Sequence, residues 1–293
     1  MYIPAPFDCG YNVDRIGNLM EGNNVTTKFD AVLSDEQKKQ FSSDGFLVAK
    51  GLLAEEIHQM REHFMDIHAR APIANYHPKT AEEAQGDILK QYPRIMHPHR
   101  FDEQSKMWMI QPKLAVILTD LFGEEPIAAQ SMFYFKPPGS KGQALHQDNF
   151  YLLVEPNTCI AAWVAVDDAD EGNGGMFVVP QSGSLEVFCP HKADPAVSFT
   201  VHEVDVPEGM KAVPVPMKAG DVLFFNGSAI HGSYPNTSKD RFRRAFICHY
   251  TARSTTKISR YYNPMIAMDG SELHMTENMD GGPCGPEYKG GVH

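Results

Sequence analysis

The chain has 293 residues, 42% hydrophobic and 22% charged, a balance typical of a soluble globular protein with room for one large domain or two small ones. Its net charge of −11 repels polyphosphates, and no Lys/Arg run supplies a local basic patch, which speaks against a nucleic-acid partner. The five scattered cysteines (Cys9, Cys159, Cys189, Cys248, Cys284) form no Cys-x-x-Cys pair, and no stretch resembles a signal peptide or a membrane span, so the expectation is a soluble cytoplasmic protein with reduced thiols and no membrane partner.

Residues 1–32, with Gly, Asn and Pro but no periodicity, read as an irregular lead-in. Ser34-Asp35-Glu36-Gln37 fits a capping box, so a short helix is predicted to about Ser43, stopped by Asp44-Gly45 and followed by a strand at Phe46–Ala49. Between Ala54 and Arg70, Ile57, Met60, Phe64 and Ile67 recur at spacings of three and four and predict an amphipathic helix. A further helix is predicted from about Glu103 to Phe122, ending at Gly123, with Met107, Trp108 and Met109 as packing residues rather than a cofactor box.

After residue 126 the texture changes to short β-branched and aromatic runs separated by Gly, Pro, Asn and Asp. Strands are predicted near 127–135, 144–153, 159–166, 176–179, 198–204, 212–216, 222–226 and 243–250. This pattern indicates a mainly β fold with flanking helices, and a double-stranded jelly roll is one such solution. With no internal repeat, one domain over 1–293 is preferred.

The chemistry concentrates in two places. In Gln143-Ala144-Leu145-His146-Gln147-Asp148, a strand would put His146 and Asp148 on one side and Gln147 on the other. Far downstream, the buried-strand pattern Asp221–Phe225 leads through the turn Asn226-Gly227-Ser228 to His231. One carboxylate and two imidazoles are the donor set of a facial triad with open positions, which suits iron(II) better than a closed four-ligand zinc site. Arg241, Arg243 and Arg244 follow, and an arginine fork there would clamp a dicarboxylate; a solvated basic turn accounts for one or two of the three.

Together these residues resemble the phytanoyl-CoA dioxygenase family of iron(II)/2-oxoglutarate oxygenases over roughly residues 33–252. The resemblance runs through Asp44-Gly45-Phe46, Gly51-Leu52-Leu53, Gln130-Ser131-Met132, Lys136-Pro137-Pro138, His146-Gln147-Asp148, Ala162-Trp163, Val179-Pro180-Gln181-Ser182-Gly183-Ser184, His231-Gly232-Ser233 and Phe242-Arg243-Arg244-Ala245. It implies a cupin-like double-stranded β-helix, with His146, Asp148 and His231 as metal ligands and catalytic centre. It also implies Arg243 on the distal carboxylate of 2-oxoglutarate, with Gln130, Met132, Trp163 and Ser233 lining the cosubstrate; Trp163 reads equally as plain core. The cofactors implied are Fe(II), 2-oxoglutarate and O2. The interval from His231 to Arg243 is one residue longer than the family's usual, which places an insertion between Asn236 and Arg241. Related halogenases carry a small residue in place of the carboxylate, so Asp148 implies hydroxylation, desaturation or another oxygenase outcome.

Arg94, His97 and Arg100 read as a substrate-facing loop; a second metal pair at His97 and His99 is the weaker reading, and His249 reads as a satisfied strand histidine. Residues 254–293 read as a lid or mobile tail, with 258–275 expected either to fold over the mouth of the site or to contact a second subunit in a homodimer. Phe133, Phe135, Phe150 and Tyr151 are expected to put some aromatic rings inside the barrel. The substrate expected is a small, partly apolar natural-product intermediate, with a coenzyme A thioester as the alternative. The triad alone also leaves open a cupin-like isomerase without 2-oxoglutarate and a non-catalytic small-molecule binder.

Overall fold

The computed structural model describes residues 32–156, 158–288 and 291; residues 1–31 of the expected lead-in, Cys9 among them, lie outside these. Ser34 and Gln37 form the capping box of α1 (Asp35–Asp44), each side chain bonding the other's backbone N–H, at 3.2 and 2.7 Å. Gly45 ends it in the left-handed conformation. In α2 (Ile57–Ala69) the apolar stripe Ile57, Met60, Phe64 and Ile67 is buried, and Phe64 stacks on Phe133 at 3.9 Å. Each such side chain contributes roughly 1.5–3 kcal/mol on burial. The helix expected over 103–122 is two helices, α3 (Glu103–Met109) and α4 (Pro112–Phe122). Pro112 has no N–H to continue the first, and starts the second instead. Trp108 and Met109 are core, whereas Met107 is exposed.

The strands of the two main sheets are β1 (Phe46–Ala49), β2 (Ile95–Met96), β3 (Pro126–Tyr134), β4 (Gln143–His146), β5 (Ile160–Ala165), β6 (Met176–Val178), β7 (Val213–Val215), β8 (Val222–Asn226), β9 (His231–Ser233), β10 (Ala245–Ala252), β11 (Met265–Ala267) and β12 (Glu272–Leu273). They build a major sheet in the order β1-β8-β5-β10-β3-β11-β12, with β2 also on β3, and a minor sheet β4-β9-β6-β7. Neighbours in both sheets are antiparallel. The result is a double-stranded β-helix, or jelly roll, buttressed by helices.

The major sheet is covered on both faces, which explains why its strands read as unbroken apolar runs. Ala161, Trp163, Leu223, Phe225, Ala245 and Ile247 point into the roll, while Ala162, Val164, Phe224 and Phe246 pack under the helices. Of the aromatic residues of which some were expected inside, Phe133 and Phe135 go with the helix side, and the interior ring of β3 is Tyr134.

Three further expectations need correction. The strand expected over 144–153 ends at His146, and Asn149–Leu152 form a short helix, α5. Of the strand expected over 198–204, only His202–Glu203 is one. Reduced thiols do not hold for Cys189 and Cys284, which form a disulfide across 95 residues of sequence; Cys159 and Cys248 are free and buried. Scattered cysteines hide such a pair because only the folded chain brings its end against the 185–192 loop.

Residues 255–288 are structured against the body. Strand β11 adds to β3, Tyr262 is wholly buried, and Tyr288 stacks on Phe150 of α5 at 4.3 Å. Among the described residues no helix is long and apolar enough to cross a membrane.

Candidate active site

His146 ends β4 and His231 begins β9, and the two are direct cross-strand partners with ring centroids 4.2 Å apart. The chain turns into helical backbone after His146, so Asp148 reaches the same point from the first turn before α5 rather than from the strand. Its Oδ1 lies 3.4 Å from His146 Nε2 and 3.5 Å from His231 Nε2, and all three donor atoms fall within 4.8 Å of one another. The three residues are buried.

Each imidazole donates Nδ1–H to the carbonyl two residues before it, His146 to Ala144 at 2.8 Å and His231 to Ala229 at 2.9 Å. That bond fixes the tautomer and leaves Nε2 as the basic nitrogen facing Asp148. Burial pushes His231 down to about 4, so it is neutral at physiological pH, the form that ligates a metal. His249 of β10, wholly buried, donates Nε2–H to Asp148 Oδ2 at 2.8 Å and sets the carboxylate's orientation. As expected, Gln147 points away; its amide bonds Ser228 O, Glu186 O and Phe188 N, which fastens two loops behind the site.

The cleft holding Asp148, His231 and His249 continues to Met132, Tyr134, Trp163, Met176, Ile247 and Arg243. The three arginines divide as their surroundings dictate. Arg241 pairs with Asp170 at the surface, and Arg244 grips Asp167 with two bonds of 2.7 and 2.9 Å. Arg243 is 2% exposed, gives Nε–H to Gly174 O and lies over the Trp163 ring at 5.1 Å. Burial lowers it to about 10, still charged at neutral pH, and its Nη1 has no partner among the described residues. The extra length before it is a turn closed by Asn236, whose amide bonds the carbonyls of Lys136 and Arg241.

Sequence reasoning missed Lys136. It too is 2% exposed, with Nζ donating to Ser233 Oγ at 2.7 Å, and burial together with the Arg243 charge pushes it well below the usual lysine range. Gly174 makes room for it: a Cβ there would come within 2.6 Å of Lys136 Cε. Among the described residues neither cation has a carboxylate within 4.0 Å. Two neighbouring buried basic side chains with no carboxylate beside them fit an anion that arrives from outside. The signal in sequence was faint, a lysine beside Pro-Pro that read as a turn. His249 was more legible, since it shares strand parity with Arg243.

The sequence profile of the phytanoyl-CoA dioxygenase (PhyH) family matches residues 41–245. The chain belongs to the phytanoyl-CoA dioxygenase family. Among family relatives, phytanoyl-CoA dioxygenase 1 of Oryza sativa subsp. japonica is 27% identical over 238 residues, covering 70% of this chain and 85% of that protein. The peroxisomal phytanoyl-CoA dioxygenase of Bos taurus is 27% identical over 237 residues, covering 76% and 70%. Solved structures share the fold at lower identity. EctD from S. alaskensis, solved with 2-oxoglutarate and 5-hydroxyectoine, has a TM-score of 0.62 at 20% identity, covering 79% of this chain and 80% of that one. The α-ketoglutarate-dependent epimerase SnoN from nogalamycin biosynthesis has 0.59 at 20%, covering 75% and 83%. As a member of the phytanoyl-CoA dioxygenase family the protein is an iron(II)- and 2-oxoglutarate-dependent oxygenase that uses O2. This sets aside the cosubstrate-free isomerase and the non-catalytic binder.

Proposed function

We propose that His146, Asp148 and His231 hold the iron, and that Arg243 and Lys136 together hold the distal carboxylate of 2-oxoglutarate, with Ser233, Met132 and Trp163 lining it. The observation that carries this reading is a cleft that runs from Asp148 and His231, two of the three residues of a two-imidazole, one-carboxylate donor set, to the buried Arg243, whose Nη1 has no partner among the described residues. The donor set fits iron(II), being hard and borderline donors on one side with room opposite. Iron with bound 2-oxoglutarate supplies oxygen activation and oxidising power, with release of carbon dioxide and succinate.

The chain's own residues do the rest. The two backbone carbonyls and His249 hold the ligand side chains in place, so little reorganisation is needed on loading. The Arg243 fork fixes the direction of the cosubstrate, and Phe225, Trp163 and Ile247 keep bulk water from the cleft. Residues 254–288 close the side of α5, which follows Asp148 directly, in keeping with a cover over one oxygenase domain.

The substrate class we favour is a small natural-product intermediate, hydroxylated or otherwise oxidised at an unactivated carbon. The neighbours from nogalamycin biosynthesis support it. A specific observation favours the alternative of a substrate with an anionic handle, such as a coenzyme A thioester. Lys90, Arg94, Lys136 and Lys141 converge on a groove of about 460 Å³ that shares Tyr134 with the cleft. No run in the sequence announced it. Anaerobic addition of iron(II) and then 2-oxoglutarate should give a weak visible band only when both are present. Metal-replete protein without that band, or succinate release that survives Arg243→Ala unchanged, refutes the assignment.

A further inference from the structure

The segment that carries His146 and Asp148 is gripped from two sides by parts of the chain that one covalent bond joins. Helix α5 follows Asp148 directly, and Asp148 O accepts the N–H of Tyr151 at 2.9 Å and of Leu152 at 3.2 Å, so the place of the carboxylate depends on that turn. A helix of 4 residues has no stability of its own. Packing supplies it: Phe150, Tyr151 and Leu152 are buried in a cluster against which Val187, Cys284 and Tyr288 pack.

The first grip is the 185–192 loop. Gln147, between the two ligands, donates from Nε2 to Glu186 O at 3.1 Å and accepts the N–H of Phe188 at 2.8 Å. The second is the end of the chain, anchored where the Asn278 amide donates to Leu153 O and Glu155 Oε1, both at 2.9 Å. Beyond Asp280 it lies on α5 through Tyr288, stacked on Phe150 at 4.3 Å, and through Gly291, whose N–H meets Tyr151 O at 3.4 Å. The Cys189–Cys284 disulfide joins the two grips, with Cys189 directly after Phe188 and Cys284 just before Tyr288. Cys189 is exposed and Cys284 half-buried, whereas the free Cys159 and Cys248 are wholly buried. Among the described cysteines, a soluble reductant therefore addresses this pair.

We propose that the Cys189–Cys284 bond is a redox latch on the metal centre. Closed, it clamps the loop and the end of the chain over α5 and keeps Asp148 seated; open, it frees both grips and iron(II) is held less tightly. The reductant is a thiol, glutathione or a thioredoxin-class dithiol. Its thiolate attacks Cys189 Sγ, the S–S bond breaks, and Cys284 leaves as a thiolate that takes up a proton. A second reductant thiolate attacks the mixed disulfide and releases Cys189, so the pair gains two electrons and two protons while the reductant ends as its own disulfide. His249 holds Asp148 from β10 in either state, which makes the effect a loosening rather than a loss of the site. The latch regulates the proposed iron site and rests on that reading.

The test compares the full chain oxidised, reduced with a phosphine that is then removed anaerobically, and as Cys189→Ser and Cys284→Ser. Hydrogen exchange of metal-free protein is read over seconds to minutes, short enough for the β3 and β10 ladder to stay protected in every form. The amides of Phe188, Tyr151 and Leu152 should exchange about 10-fold faster or more once the bond is absent, while that of Asn278, bonded to Ile258 O at 2.9 Å, should not change. Iron(II) affinity should fall about 10-fold in the reduced protein and in both variants. Reoxidation should restore the unaltered protein and leave the variants as they are. Tyr288→Ala, which weakens the second grip alone, should speed exchange in α5 with the disulfide intact. Equal α5 exchange and equal iron(II) affinity in oxidised and reduced protein, with only the melting temperature lower, would make the bond a plain staple and overturn the proposal. Faster exchange with unchanged iron(II) affinity would refute control of the metal, and a non-reducing peptide map without the Cys189–Cys284 link would remove the latch altogether. Failure of oxidised protein to bind iron(II) at all refutes the iron assignment instead, and the exchange data, taken without metal, keep the two apart.

Discussion

Replacing Lys136 by methionine separates a ligand-binding role from a structural one, because the two predict opposite signs. Lys136→Met keeps the length of the side chain and removes an amino group that is 2% exposed and whose charged form burial and Arg243 disfavour. A hydrogen bond to a charged group contributes about 1.5–3 kcal/mol, so affinity for 2-oxoglutarate should fall roughly 10- to 150-fold, Arg243 still holding the other side of the carboxylate. Without ligand the variant should be more stable. Exchanging buried charge for a well-packed apolar group commonly stabilises by about 1–4 kcal/mol, which is a few degrees or more of melting temperature in a chain of this size. Ser233 loses a donor but keeps its own hydroxyl proton for another acceptor. The measurements are anaerobic calorimetry with 2-oxoglutarate and thermal unfolding of ligand-free protein. A less stable variant with unchanged affinity for 2-oxoglutarate would refute the argument and make Lys136 a structural prop.

The depressed Lys136 also predicts a pH effect. Its charge is lost on raising pH through a value below the ordinary 10.5, so 2-oxoglutarate affinity should decline in that window, while ligand-free stability attributable to this group should grow; Lys136→Met should flatten both curves. His249→Phe removes the bond to Asp148 Oδ2 and should weaken iron(II) binding by about 10- to 100-fold, read by metal titration with the fold checked by circular dichroism. Cys284→Ser opens a 95-residue covalent loop; in the chain-entropy account it should cost up to about 4–5 kcal/mol under oxidising conditions and nothing in reductant, with peptide mapping under non-reducing conditions as the check on the bond. Deleting 256–293 strips β11 from β3 and uncovers the pocket of Tyr262, so it should lower stability outright rather than alter turnover alone, and a fully folded truncated protein would contradict the packing described.

What the sequence made legible was local. The Ser34 capping box and the stripe on α2 are written within a few residues and form as their patterns demand, whereas His146 and Asp148 meet as a pair although Asp148 comes from a helical turn and not from the strand that the spacing implied. Arg243 could be singled out from its neighbours only through family resemblance, yet burial separates the three arginines cleanly: Asp170 and Asp167 claim the other two. What stayed hidden was convergence over distance. Lys90, Arg94 and Lys141 span too much chain to look like a cluster, and Cys189 meets Cys284 only when the end of the chain returns. Parity hid the rest. With both faces of the major sheet buried, alternation carries no polar marker, so Tyr134 could not be told from Phe133 and Phe135 until the register with β10 was known.

The pairing of His146 with His231 across β4 and β9 ties the metal centre to strand alignment. A slip of one residue would set Leu145 or Gln147 against His231 and turn the imidazole of position 146 to the opposite face. A metal held by both imidazoles would bridge these two short strands and work as a rivet through the minor sheet. Amide protons of these strands should exchange more slowly once iron(II) is added, while those of the long β3 and β10 ladder should barely change. The minor sheet would then report, strand by strand, whether the enzyme is loaded.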